Sequence, residues 1–366
     1  MKKLYVSMAV VALAFVFVGS AMAADWNFYG SARVTTFFYS SDKDVPSNPM
    51  NPTFDDLDLT HDLQGNSRIG ATVKAGNMGG GFEYGTGVNV RKLYGTWNFG
   101  SGELLVGQTY TPITMLLSNQ VGGGDNGLLN IGEFYGGRQP MLQLKFAAGM
   151  GDFKLALVNP EVITGRVTSV DTDVTLPKIE ASYRFKGDQW FAQIYGGYQT
   201  YDEVDATDNG QSISSFVVGL GGAYSFNMVT LKANIYTAQN GVNYGATTAT
   251  AGAPADAAYL LPNWNGSSFD DATAFGGLVM AMFQFNDMLG LELGLGYKAD
   301  EVDSAGIKTE QTIMSYYASL PITLADGVFI VPEVGNYDFG DRKVTGAADL
   351  KQGSTLYYGA KFQINF

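Results

Sequence analysis

Along most of this chain, apolar and polar residues alternate one by one. A period of two gives a segment one regular way to fold, as a strand with one greasy face. In WNFYGSARVTTFFY (26–39), Trp26, Phe28, Ala32, Val34 and Phe38 fall on one side; Asn27, Tyr29, Ser31, Arg33 and Thr35 fall on the other. LDLTHDLQGNSRIGATVKA (57–75) sets Ile69, Ala71 and Val73 against Asn66, Arg68, Thr72 and Lys74. KLYGTWNF (92–99) sets Leu93, Trp97 and Phe99 against Lys92, Tyr94, Thr96 and Asn98. In LGLELGLGYK (289–298) a row of leucines faces one way, while Glu292 and Lys298 share the other side. Such strands suit either a half-buried soluble sheet or a membrane barrel with lipid outside and water inside.

The start of the chain gives a compartment. MKKLYVSMAVVALAFVFVGSAMA reads as a secretory signal peptide, residues 1–23, with cleavage after Ala23. The mature domain is then 24–366, and removal of Lys2 and Lys3 takes the formal charge from −13 to −15. There is no cysteine, so no disulfide braces an exported chain. After the signal no apolar run is long enough for a spanning helix.

The connections separate the two sheet readings. About sixteen strands are expected, near 26–40, 57–75, 81–85, 89–99, 102–110, 139–148, 152–158, 176–186, 189–201, 212–226, 228–238, 272–285, 288–299, 309–320, 327–337 and 354–366. Short links such as GMG (149–151), GD (187–188) and ND (286–287) alternate with long, mostly polar ones. The long set takes in 41–56, YDEVDATDNGQ (201–211), 239–270 and ADEVDSAG (299–306). That rhythm predicts an all-β, antiparallel up-and-down transmembrane barrel. Closure removes every sheet edge, and an even strand count puts both termini on the short-turn side. The last strand, LYYGAKFQINF (356–366), ends on Phe366 with no polar tail. Strand one and the lipid would then cover its apolar face.

Over nearly the whole mature chain the sequence resembles the porin superfamily of Gram-negative outer membranes, and within it the homotrimeric porins of sulfate-reducing bacteria. GNSRIGATVKAG looks like that family's second strand. VNVRKLYGTWNFGSGELLVGQTYTP looks like the strand pair before its inward-folded third loop. The resemblance implies an outer-membrane location in contact with lipid, a homotrimer, and a terminal aromatic, Phe366, read as an assembly signal by the insertion machinery. It also implies that residues 111–140 form a constriction loop. The chain departs from the family where a second loop often latches a neighbouring subunit, because YGTGVN (84–89) is very short.

Function would lie in the lumen, since a channel makes no bonds. The expected constriction has Arg33, Arg68 and Lys92 on the wall, Arg138 closing the loop, and Asp125 and Glu133 as acids on the loop facing those bases. A transverse field follows, strengthened by the low-dielectric wall. Together with acids at the mouth, the loop acids predict a modest cation preference in a passive channel for ions and small hydrophilic solutes. The alternatives are a porin selective for a sugar or carboxylate, or a surface adhesin. His61 is the only histidine, which argues against a transition-metal site or a Ser-His triad. No enzyme activity, cofactor, metal or nucleic-acid partner is expected.

Overall fold

The computed structural model describes residues 24–42, 57–122, 128–129, 131–162, 169–207, 209–244 and 261–366. The expected signal peptide, much of the first long link and Asp125 lie outside them.

Sixteen antiparallel staves close into one barrel among the described residues. The first eight are β1 (Asp25–Ser41), β2 (Asp58–Leu63 continued by Arg68–Ala75), β3 (Met78–Gly85), β4 (Val90–Asn98), β5 (Glu103–Tyr110), β6 (Arg138–Ala148), β7 (Gly151–Val158) and β8 (Ser169–Asp173 with Lys178–Lys186). The second eight are β9 (Trp190–Asp205), β10 (Gly210–Phe226), β11 (Val229–Gln239), β12 (Ala272–Gln284), β13 (Gly290–Ser304), β14 (Ile307–Ser319 with Ile322–Ala325), β15 (Val328–Asp338 with Asp341–Val344) and β16 (Leu350–Lys351 with Ser354–Asn365). Each stave pairs with its neighbours in sequence, and the seam joins β1 to β16 from Ser31↔Asn365 to Ser41↔Thr355.

The alternation places the two faces as read. Phe28, Ile69, Leu93, Trp97, Leu293 and Leu295 are exposed on the outside, while Arg33, Glu292 and Lys298 are buried on the lumen side. No water reaches the outer band in a bilayer, so every backbone group there must be paired within the wall. A closed barrel meets that demand without an edge.

Tight turns close one end. At Asn227, between β10 and β11, the backbone is left-handed (φ 49), which asparagine tolerates better than most side chains. The other end differs from expectation in two places. Segments 201–211 and 299–306 are not long loops. β9 runs to Asp205 and β10 begins at Gly210; β13 runs to Ser304 and meets β14 across Ala305 and Gly306. The strand period continues through those acidic stretches, so the hairpins extend past the apolar band. Conversely, the single strand expected over 57–75 is interrupted. Residues 64–67 bulge opposite β1, with the Gln64 N–H donating to the Arg33 carbonyl at 2.9 Å.

The segment between β5 and β6 folds into the barrel. Ile113, Met115, Leu117, Leu128 and Phe134 pack on Tyr195, Tyr236, Leu278 and Tyr317 of the wall. Val121 and Ile131 pack against Ile313, Val331 and Tyr357. The inserted segment therefore lies on the β9–β16 side. Its backbone approaches that wall so closely that a side chain at Gly132 (φ 98) would strike the Gly277 carbonyl at 2.2 Å. The link after β11 also turns inward, where the short 3-10 segment Gly241–Tyr244 is fully buried.

Candidate pore constriction

The inserted segment is a chain of turns whose N–H groups cannot all pair with each other, and inside a barrel they need acceptors. Three buried carboxylates supply them. Glu133, on the segment itself, accepts from the N–H of Leu117 at 2.5 Å and also from the N–H of Ser118. Glu292 of β13 accepts from the N–H and side-chain amide of Asn119 at 2.9 and 2.7 Å. Glu333 of β15 accepts from the N–H groups of Val121 and Gly122, both at 2.7 Å. Five backbone donors between 117 and 122 are thus bolted by three acids. Tyr317 donates to Glu292 and lies 2.8 Å from the Ser118 hydroxyl. Lys232 of β11 donates to the Leu117 carbonyl at 2.6 Å, and Asn234 to that of Gly132 at 2.8 Å.

Glu133 consequently does not face the passage from the loop. It is wholly buried beneath it. Burial pushes its carboxyl up to about 8, and the two backbone N–H groups and Lys232 only partly offset this. The spacing of an acid on a long loop carried no signal that separates a pore-facing acid from an internal bolt.

The bases behave differently. On the open side, a cavity of about 410 Å³ is lined by Arg33, Arg68, Lys232 and Lys361 together with Tyr110 and residues 116–119. Among the described residues this lining holds four bases and no acid. Arg33 Nε donates to the Ser31 hydroxyl at 2.9 Å. Arg68 and Lys92 share one carboxylate with Arg91, since Glu83 lies 3.8, 3.5 and 2.8 Å from them respectively. Three cations on one anion leave this part of the wall positive. Arg138 bonds the Tyr110 hydroxyl at 3.3 Å and stands over the rings of Tyr110 and Tyr135.

Of the expected set, Arg33 and Arg68 line one cavity, with Lys92 and Arg138 joined to it through Glu83 and Tyr110. Glu133 is separated from them. Glu292, Glu333, Lys232 and Lys361 were not read from sequence as parts of the site. Strand parity places all four inward, but which of them meets the loop depends on the closed barrel. At the mouth, Glu203 is also buried, and Asp300 is buried in an ion pair with Lys298. At the seam, the Phe366 N–H donates to the Gly30 carbonyl at 3.1 Å and its carbonyl accepts from the Gly30 N–H at 2.6 Å. Its ring covers Gly30 on the outer face, where a Cβ would come within 2.5 Å of it.

No protein-family model and no curated protein sequence matches the chain. Solved structures do. The outer membrane channel DcaP of Acinetobacter baumannii superposes with a TM-score of 0.70 at 15% identity, covering 95% of this chain and 99% of that one. OmpT of Vibrio cholerae, an outer membrane protein in its trimer form, gives 0.60 at 13%, covering 94% and 100%. An anion-selective porin from Comamonas acidovorans gives 0.55 at 12%, also covering 94% and 100%. With the sixteen-stave closure and the inward loop, these likenesses show that the chain has the porin-type fold of Gram-negative outer membranes.

Proposed function

We propose that this protein is a passive, water-filled channel of the outer membrane for small hydrophilic solutes, and that its waist favours anions. The observation that carries the sign is the basic lining of the cavity beside the loop: Arg33, Arg68, Lys232 and Lys361. Among the described residues, Glu133, Glu292 and Glu333 are bonded to loop N–H groups, with Lys232 and Lys361 acting on Glu133 and Glu333 respectively, and Glu83 is shared by three cations. A charged ring at a narrow, low-dielectric passage selects more strongly than remote charge. The cation preference expected from sequence depended on Glu133 at the passage and on mouth acids, of which Glu203 and Asp300 are buried. Small carboxylates are the solutes this waist suits best.

The same reading includes outer-membrane lipid around the wall, delivery by the outer-membrane assembly machinery through Phe366, and a homotrimer held by barrel walls. The link between β3 and β4 is only residues 86–89, too short for a latch. The channel makes and breaks no bond.

Reversal potential in a potassium chloride gradient tests the sign. Wild type should be anion-preferring, and Arg68→Gln with Lys361→Gln should move it towards cations. A cation-preferring wild type whose preference is lost in Asp125→Asn would favour the loop-acid reading instead.

A further inference from the structure

Below the waist, towards the tight turns, lies a second open cavity of about 920 Å³. Two features of its wall bear on a ligand. Lys145 of β6 and Lys154 of β7 stand directly opposite one another in the ladder. Like charges in that position are destabilising. Among the described residues neither is in an ion pair: Glu103, opposite Lys145 in the ladder and on the same cavity, and Asp152, engaged by Lys186, act on the pair from a longer distance. Beside the lysines a largely buried apolar cluster reaches the lumenal wall. Leu105 and Tyr94 line the cavity and rest on Met141, Ala156 and Val158. Tyr110 lines both this cavity and the waist cavity, with the Lys92 ammonium 5.3 Å from its ring centre.

We propose that this vestibule is a binding station for aromatic carboxylates. The lysine pair, which outnumbers the one acid in the described lining, Glu103, takes the carboxylate, and Tyr94 and Tyr110 take the ring with Leu105 behind them. A small inorganic anion or an aliphatic acid gains only the charge; an aromatic amine gains only the apolar ledge. The station meets the waist at Tyr110, but its lysines lie outside the waist lining, so its charge does not depend on which ion the waist prefers. It rests on the channel reading alone.

The test uses single channels of the full-length mature protein in a planar bilayer, with benzoate, acetate and benzylamine as probes on either side. Benzoate should produce resolved blocking events at concentrations where acetate and benzylamine produce none. Lys145→Gln with Lys154→Gln should weaken benzoate block at least tenfold. That change relieves a like-charge contact, so the barrel should still assemble, and heat-modifiable migration checks this. Tyr94→Leu with Tyr110→Leu keeps the charge and should reduce benzoate block towards the acetate level. Equal action of benzoate and acetate, or benzoate block that persists in the double lysine variant, overturns the proposal. Block that follows the lysines in a channel with cation-preferring reversal potential would sustain the station while removing the anion-favouring waist. An anion-preferring channel without benzoate block would do the reverse.

Discussion

The loop should loosen as pH rises from about 5 towards 8, and Glu133→Gln should remove that dependence. The Glu133 carboxyl is held near 8 against an ordinary 4.5, because full burial opposes the charged form more than the Leu117 and Ser118 N–H groups and Lys232 favour it. Glu292 faces the same region and opposes ionisation further. An acid whose folded value is raised keeps a proton that the unfolded chain releases. Its contribution is therefore complete below pH 4.5, falls as pH climbs towards 8, and is lost above it. At 1.36 kcal/mol per pH unit, the interval amounts to about 5 kcal/mol as an upper figure. Release of the 117–122 segment alone would relieve the strain without unfolding the wall, so the measurable event is local. Open-channel current noise and slow closures should rise progressively from about pH 5 to 8 and level off between about pH 8 and 9. Glu133→Gln keeps an oxygen acceptor for the two N–H groups and cannot ionise, so its record should be flat throughout. An unchanged pH response in Glu133→Gln, or a flat response in wild type up to pH 9.5, would refute the argument.

Other outcomes follow from the same structure. Glu333→Ala strips the acceptor from the buried N–H groups of Val121 and Gly122, at about 1–3 kcal/mol each; chymotrypsin should then cut the loop faster, after Leu116, Leu117 or Phe134, while the barrel still migrates as folded. Leu293→Arg puts charge on the lipid face, at about 2–4 kcal/mol near mid-depth, whereas Thr72→Arg adds it to the lumen at little expense. Urea refolding into vesicles should therefore separate the two, and equal midpoints would reverse the assignment of faces. Deleting Phe366 removes two backbone bonds to Gly30 and the ring over it, so unfolded protein should accumulate in the periplasm; a normal yield of protease-resistant barrel would count against its role in assembly.

Period-two alternation determined by itself that this chain forms strands and which residues face out, and the rhythm of short and long links added that the strands close. An apolar outer face has to meet lipid, and sixteen strands separated by short and long links leave no edge to protect. Arg33, Arg68 and Glu292 could be placed inward from parity alone, because a strand offers only two sides. The strand runs on through DEVD at 202–205, where a loop was expected, and Glu203 is buried there. What the sequence could not decide was which inward residues meet each other. Glu133, Glu292 and Glu333 are up to 200 positions apart in sequence, and they converge on six consecutive loop residues only because the barrel is closed and the loop lies against β9–β16. That choice of side buries the acids and leaves the bases in the lining of the cavity beside the loop, the arrangement on which the proposed anion preference rests. Electrostatics inside a pore depends on distance and solvent access across the lumen, and neither quantity exists along a linear chain.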